Sequence, residues 1–74
     1  MRILLEKYFS RGQIVELMYL SMSGTISKRI VKVLKINDDY FQAYCFMKNA
    51  KRTFRIENVL ACFPVKNNER DVIQ

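Results

Sequence analysis

The chain has 74 residues, half of them hydrophobic, and a formal net charge of +6 at pH 7. This length allows one small domain, and the hydrophobic fraction is that of a globular chain, not of a disordered one. The sequence contains no histidine and two cysteines, so it lacks the commonest general base and cannot form an ordinary structural zinc site by itself. We therefore expect a protein that is not an enzyme and has no metal or other cofactor.

The first predicted element is a short helix over residues 2–11, which ends before Gly12, a typical helix stop. Apolar side chains four residues apart predict one stripe on this helix, formed by Leu4 with Tyr8 and Leu5 with Phe9. A helix this short is marginally stable alone, so we expect the stripe to pack on the core.

After Gly12 the hydrophobic pattern changes to the alternation that is typical of strands. We predict five strands, over residues 14–20, 25–36, 40–48, 52–56 and 61–65. In the second strand, alternation places Ile26, Lys28, Ile30, Lys32, Leu34 and Ile36 on one face and Arg29, Val31, Val33 and Lys35 on the other. In the third, it separates Tyr40, Gln42, Tyr44 and Phe46 from Phe41, Ala43, Cys45 and Met47.

These elements predict a mainly β domain with one N-terminal helix (α+β), folded as a small, partly open β-barrel of about five antiparallel strands. Both SH3-like and OB-like barrels satisfy the pattern. The domain would span residues 1–65, with its barrel over residues 13–65, and residues 66–74 would form a polar tail.

The apolar start of the chain ends at Glu6, which is too short for a signal peptide or for a membrane span. Cys45 and Cys62 lie within apolar segments, where free thiols behave as small hydrophobic groups. We expect a cytoplasmic protein of bacterial or phage origin with no membrane contact.

The positive charge is concentrated in one part of the chain. Between Lys28 and Arg55 the sequence has eight cationic and two acidic residues, which accounts for the whole net charge of +6. Three neighbouring strands with clustered Lys and Arg are typical of a polyanion-binding surface, and unpaired bases can stack on tyrosines such as Tyr40 and Tyr44. Alternatively, the lysines prevent strand edges from pairing and keep the protein soluble.

The strands also carry motifs by which the chain resembles a WYL domain. The corresponding residues are Tyr19, Gly24, Arg29, Asp39-Tyr40-Phe41, Ala43-Tyr44 and Arg52-Thr53-Phe54-Arg55-Ile56. The chain departs from the family pattern at three positions: Asp39 stands in place of the family's tryptophan, Val33 in place of a proline and Asn58 in place of an arginine.

The resemblance implies an SH3-type, Sm-like barrel that senses a ligand in bacterial transcription regulators. It implies an anion-facing set of Arg29, Tyr40, Arg52 and Arg55, with Tyr44 as a stacking ring, to which Lys28, Lys32 and Lys51 would add longer-range attraction. Only about ten helical residues precede Gln13, so we expect a stand-alone module without a recognition helix, to which a separate protein would supply DNA binding.

Two functions remain open at this point. The first is a module that binds single-stranded nucleic acid or a nucleotide in transcription regulation. The second is a protein–protein interaction or homodimerisation module, whose apolar surface would be formed by Met18, Met22, Phe41 and Phe46 while the charge serves only solubility.

Overall fold

The computed structural model describes residues 1–65. Helix α1 (Arg2–Ser10) is followed by strands β1 (Ile14–Leu20), β2 (Ile26–Ile36), β3 (Tyr40–Cys45), β4 (Ala50–Arg55) and β5 (Val59–Pro64), with a short 3-10 turn (Ile56–Asn58) before β5. The prediction of one helix and five strands in an α+β domain is confirmed. The predicted polar tail, residues 66–74, lies outside the described residues.

The five strands form one antiparallel sheet in the order β4-β3-β2-β1-β5. The sheet is open, with β4 and β5 at its two edges. Residues that are directly paired across antiparallel strands point to the same side of a sheet. We call the side that carries the buried side chains the inner face and the opposite side the outer face.

The sheet is curved enough to bring β4 back towards β1, although two strands separate them in the sheet order. The hydroxyl of Tyr19 in β1 accepts a hydrogen bond of 3.0 Å from the backbone N–H of Arg55 in β4. The Tyr19 ring also packs edge-on against Phe54, with 5.1 Å between ring centroids. These contacts partly close the barrel without joining its edges.

Replacing Tyr19 with phenylalanine tests this closure. The change keeps the ring contact with Phe54 but removes the acceptor for the Arg55 N–H, so we expect a loss of about 1 kcal/mol in the free energy of unfolding in urea. Tyr44→Phe is the matched control, because its hydroxyl contact with Asn49 is long, at 3.5 Å. A Tyr19→Phe protein as stable as the control would contradict a structural role for this hydrogen bond.

The core lies between the inner face and α1. It consists of Leu5, Tyr8, Val15, Leu17, Val31, Val33, Phe41, Ala43, Cys45, Phe54, Val59 and Cys62. On α1 only Leu5 and Tyr8 are buried, whereas Leu4 and Phe9 are exposed. The predicted stripe is therefore confirmed for Leu5 and Tyr8 and wrong for Leu4 and Phe9. The helix contacts the sheet along a narrow line of residues three apart.

The predicted alternation of β2 holds up to Val33 and then fails. Val33 pairs with Ala43, but Lys35 pairs with Gln42, so Leu34 is an extra residue that forms a β-bulge. The bulge moves Ile36 to the inner face, where it packs against the core. The prediction that Ile36 shares a face with Ile26 and Ile30 was therefore wrong.

Three strand boundaries also differ from the prediction by more than one residue. Strand β3 ends at Cys45, not at residue 48, and β4 begins at Ala50, because residues 46–49 form a turn in which Asn49 adopts a left-handed backbone conformation (φ 52°). Asparagine tolerates this conformation better than most residues. Strand β5 begins at Val59 because the 3-10 turn ends just before it.

Candidate nucleic-acid interface

Three strands contribute to one row of side chains on the outer face. Tyr44 of β3 pairs with Lys51 of β4 on one side and with Lys32 of β2 on the other. Adjacent strands lie about 4.8 Å apart, so the backbone of each lysine lies about 5 Å from the backbone of Tyr44, one on either side. We call these three residues the Lys51–Tyr44–Lys32 row.

The tyrosine of this row is held by its neighbours. The half-buried Tyr44 ring packs edge-on against Phe46, with 5.0 Å between centroids, and its hydroxyl contacts the Asn49 side-chain oxygen at 3.5 Å. Phe46 itself is 41% exposed. The row therefore carries an aromatic ring with a second ring packed against it, on a surface that solvent reaches.

A second cation–aromatic pair lies further along the same face. Tyr40 pairs with Arg55 across β3 and β4, and the Arg55 guanidinium carbon lies 5.3 Å from the centre of the Tyr40 ring. Arg55 Nη1 also donates a hydrogen bond of 3.2 Å to the Tyr40 hydroxyl. Between this pair and the Lys51–Tyr44–Lys32 row, Gln42 pairs with both Thr53 and Lys35.

Arg55 also forms an ion pair. Its Nε donates to Glu57 Oε2 at 2.9 Å, and its Nη2 contacts the same oxygen. The hydrogen bond to Glu57, and then the negative charge of Glu57, raise the pKa of the Arg55 guanidinium. Arg55 is thus fully charged but already has an anionic partner.

The other two arginines of the predicted set lie on the opposite side of the sheet. Arg52 pairs with Ala43 and Arg29 pairs with Leu17, and both of these partners are buried on the inner face. Arg29 is half-buried, and its Nε donates to Ser27 Oγ at 3.3 Å. The structure therefore divides the set of Arg29, Tyr40, Arg52 and Arg55 between two faces and does not bring it together as one patch.

The lysines of the predicted site share the outer face with the tyrosines. Lys28 pairs with Met18 and lies on the same side of β2 as Lys32. Within residues 1–65 there are two ion pairs, Arg2–Glu6 and Arg55–Glu57. Lys28, Lys32 and Lys51 therefore have no carboxylate partner in the part of the chain that the structure describes.

Residues 1–65 form no pocket and contain no group of three or more potential metal-ligating side chains. Burial raises the pKa of the Cys62 thiol to about 11, so this cysteine is protonated and a poor nucleophile near neutral pH.

No helix within the described range, residues 1–65, has the length and the apolar character needed to cross a membrane.

The structure also separates the four residues that the sequence predicted as one protein-contact surface. Phe41 is fully buried beside Phe54, with 5.4 Å between the ring centroids, so the prediction that it faces a partner was wrong. Phe46 is exposed, Met18 is half-buried on the outer face, and Met22 projects from the turn between β1 and β2.

Sequence reasoning missed two contacts of Arg55. The contact of Tyr19 with Arg55 joins residues 36 positions apart and has no signature in local periodicity. The ion pair of Arg55 with Glu57 could have been predicted from the sequence. An acidic side chain two residues after an arginine, at the end of a strand, can reach the guanidinium of that arginine.

The fold and the surface together define a class: a small α+β module whose curved, open antiparallel sheet presents lysines and tyrosines on its outer face. Among solved structures, the chain is similar to the proteasome accessory factor B/C (PafBC) of Arthrobacter aurescens, with a TM-score of 0.77 and 26% sequence identity. The match covers 85% of this chain but 11% of that one. It supports the WYL-like fold that the sequence motifs implied.

The chain thus corresponds to a small part of the length of PafBC. No family model matches the sequence, and no curated protein matches it either.

Proposed function

We propose that this module binds single-stranded nucleic acid or a nucleotide through the outer face of β2, β3 and β4, and that it serves transcription regulation in the cytoplasm. The observation that carries the proposal is the Lys51–Tyr44–Lys32 row, in which one aromatic ring lies between two lysines without ion-pair partners in residues 1–65.

The chemistry of this row suits an unpaired strand. A base can stack on the Tyr44 ring, which contributes on the order of 1–3 kcal/mol per base, while the flanking lysines neutralise phosphates. Stacking requires bases that are not paired in a duplex. Residues 1–65 also lack a second helix that would enter a major groove, so any duplex recognition would come from another domain or from a partner protein.

The comparison with PafBC fits this role. Because this chain corresponds to 11% of that protein, a fold of this kind occurs as one part of a longer chain. This supports a module that acts together with other domains or partner proteins, as the WYL resemblance implies for a ligand-sensing unit of a regulator.

Direct titration tests the proposed function. Fluorescently labelled single-stranded DNA, single-stranded RNA and a cyclic dinucleotide would each be titrated with the full chain, and fluorescence anisotropy measured at 50 and 200 mM salt. Each neutralised phosphate of a single strand contributes about 0.7 to the slope of log affinity against log salt. We expect tighter binding at the lower salt concentration, and weak binding that is independent of salt would contradict the proposal.

Two adjacent residues locate the binding face. Lys51 and Arg52 are both exposed, carry the same charge and lie on opposite faces of β4. We expect Lys51→Ala to weaken binding to a single strand several-fold and to lower the salt slope by about 0.7, because one phosphate contact is lost. Arg52→Ala is the matched control and should change the affinity less. A larger loss of affinity for Arg52→Ala than for Lys51→Ala would indicate that the ligand binds on the inner face.

A second candidate function rests on apolar groups of the same outer face. Phe63 of β5 is 53% exposed on the outer face, and Phe46, which packs against the Tyr44 ring, is 41% exposed. Exposed apolar groups of this kind occur at protein interaction surfaces. Sedimentation would distinguish the candidates, because a tight homodimer with no affinity for nucleic acid would favour a protein–protein interaction module.

A further inference from the structure

We propose that Glu57 is a specificity-determining residue, which acts as an internal anion on Arg55 and restricts this arginine to ligands that carry a phosphate monoester. The inference rests on the proposed function. It goes beyond that function because it specifies the kind of phosphate group that the Tyr40–Arg55 pair selects.

The hydrogen-bonding edges of the Arg55 guanidinium are already in use. Nε and Nη2 both contact Glu57 Oε2, and Nη1 donates to the Tyr40 hydroxyl. A phosphate that binds through the fork of Nε and Nη2 must therefore take the place of the Glu57 carboxylate. This fork is the geometry by which arginine binds phosphate with two parallel hydrogen bonds.

The backbone holds Glu57 close to Arg55. Glu57 lies in the 3-10 turn Ile56–Asn58, and the N–H of Ile56 donates a hydrogen bond of 2.9 Å to the carbonyl of Asp39. Ile56 also packs against the core. The carboxylate thus remains near the guanidinium even when a ligand displaces it.

The ion pair is open to solvent and can exchange. The side chains of Arg55 and Glu57 are 44% and 66% exposed, and exposed ion pairs contribute little to stability. A phosphodiester has one negative charge, as the carboxylate has, so replacing Glu57 with a phosphodiester on Arg55 gains little binding free energy. A phosphate monoester carries a charge of about −1.5 to −2 at pH 7, so it competes better with Glu57.

The test compares strands that differ only at the 5′ end. A single-stranded oligonucleotide with a 5′-phosphate and the same oligonucleotide with a 5′-hydroxyl would be titrated with wild type, Glu57→Gln and Glu16→Gln. Glu16 is the matched control, because it also lies on the outer face and its replacement changes the net charge equally. Circular dichroism would confirm that every variant is folded.

We expect wild type to prefer the 5′-phosphate strand several-fold. Glu57→Gln should bind the 5′-hydroxyl strand about three- to tenfold tighter than wild type and lose most of the preference, since Arg55 then has no competing carboxylate. Glu16→Gln should raise both affinities slightly and equally. In an Arg55→Ala background, Glu57→Gln should give no gain beyond that of Glu16→Gln.

Two results would overturn the inference, and they are distinguishable. If wild type binds but Glu57→Gln and Glu16→Gln have equal effects, only net charge matters, and the role of Glu57 is excluded while the proposed function stands. If neither wild type nor any variant binds either strand, the proposed function fails and this inference fails with it.

Discussion

Replacing Phe41 with alanine is expected to leave the protein only marginally stable at room temperature. The Phe41 side chain is fully buried, stacks on Phe54 and lies among the core residues of the inner face. Removing a buried phenylalanine ring typically costs about 3–5 kcal/mol, through lost burial and the cavity that remains. A domain of this size has a free energy of unfolding near the lower end of about 5–15 kcal/mol, so little stability would remain.

The matched control is the same substitution at an exposed position. Phe63 is 53% exposed on the outer face of edge strand β5, so Phe63→Ala should cost less than about 1 kcal/mol. Urea denaturation followed by circular dichroism would measure both variants. Equal losses for Phe41→Ala and Phe63→Ala would show that the core is not where the structure places it.

Replacing Lys32 and Lys51 together with glutamine is expected to remove most of the nucleic-acid affinity. These residues are the two cations of the Lys51–Tyr44–Lys32 row, and each would neutralise one phosphate. Losing both contacts should lower the slope of log affinity against log salt by about 1.4 for a single strand. We expect the affinity at low salt to fall on the order of 10- to 100-fold.

The control for this pair changes the same charge elsewhere. Lys7 lies in α1 and Arg11 directly follows the helix, and both are exposed. Their double replacement with glutamine lowers the net charge by the same amount, so it should reduce binding only through weaker long-range attraction. If the two double variants lose equal affinity in anisotropy titrations, the protein binds through its overall charge and not through the proposed row.

These results would separate three contributions to binding. Lysines without ion-pair partners in residues 1–65 attract the nucleic-acid strand and cause the salt dependence of binding. The Tyr44 ring supplies a stacking surface. Arg55 adds a phosphate contact, and Glu57 makes this contact selective. The first two contributions tolerate any base sequence. We therefore expect discrimination among single strands to depend more on their terminal groups than on their bases.

The sequence by itself determined the order and type of the elements and the location of the charge. Alternation of apolar side chains is a local property of a strand, and it identified the shared face of Tyr40 and Tyr44. The same alternation separates two arginines of β4. Arg52 is two residues from the buried Phe54 and must share its face, whereas Arg55 is at odd spacing and must point away from the core.

Tertiary structure decided which side chains meet across strands. The bulge at Leu34, the pairing of Tyr44 with both Lys32 and Lys51, and the approach of Tyr19 to Arg55 all depend on strand register and sheet curvature. Register is a property of two strands at once, since it follows from how their apolar faces and turns fit together. Periodicity within one strand therefore predicts the face that a residue occupies, but only the folded sheet selects its neighbours.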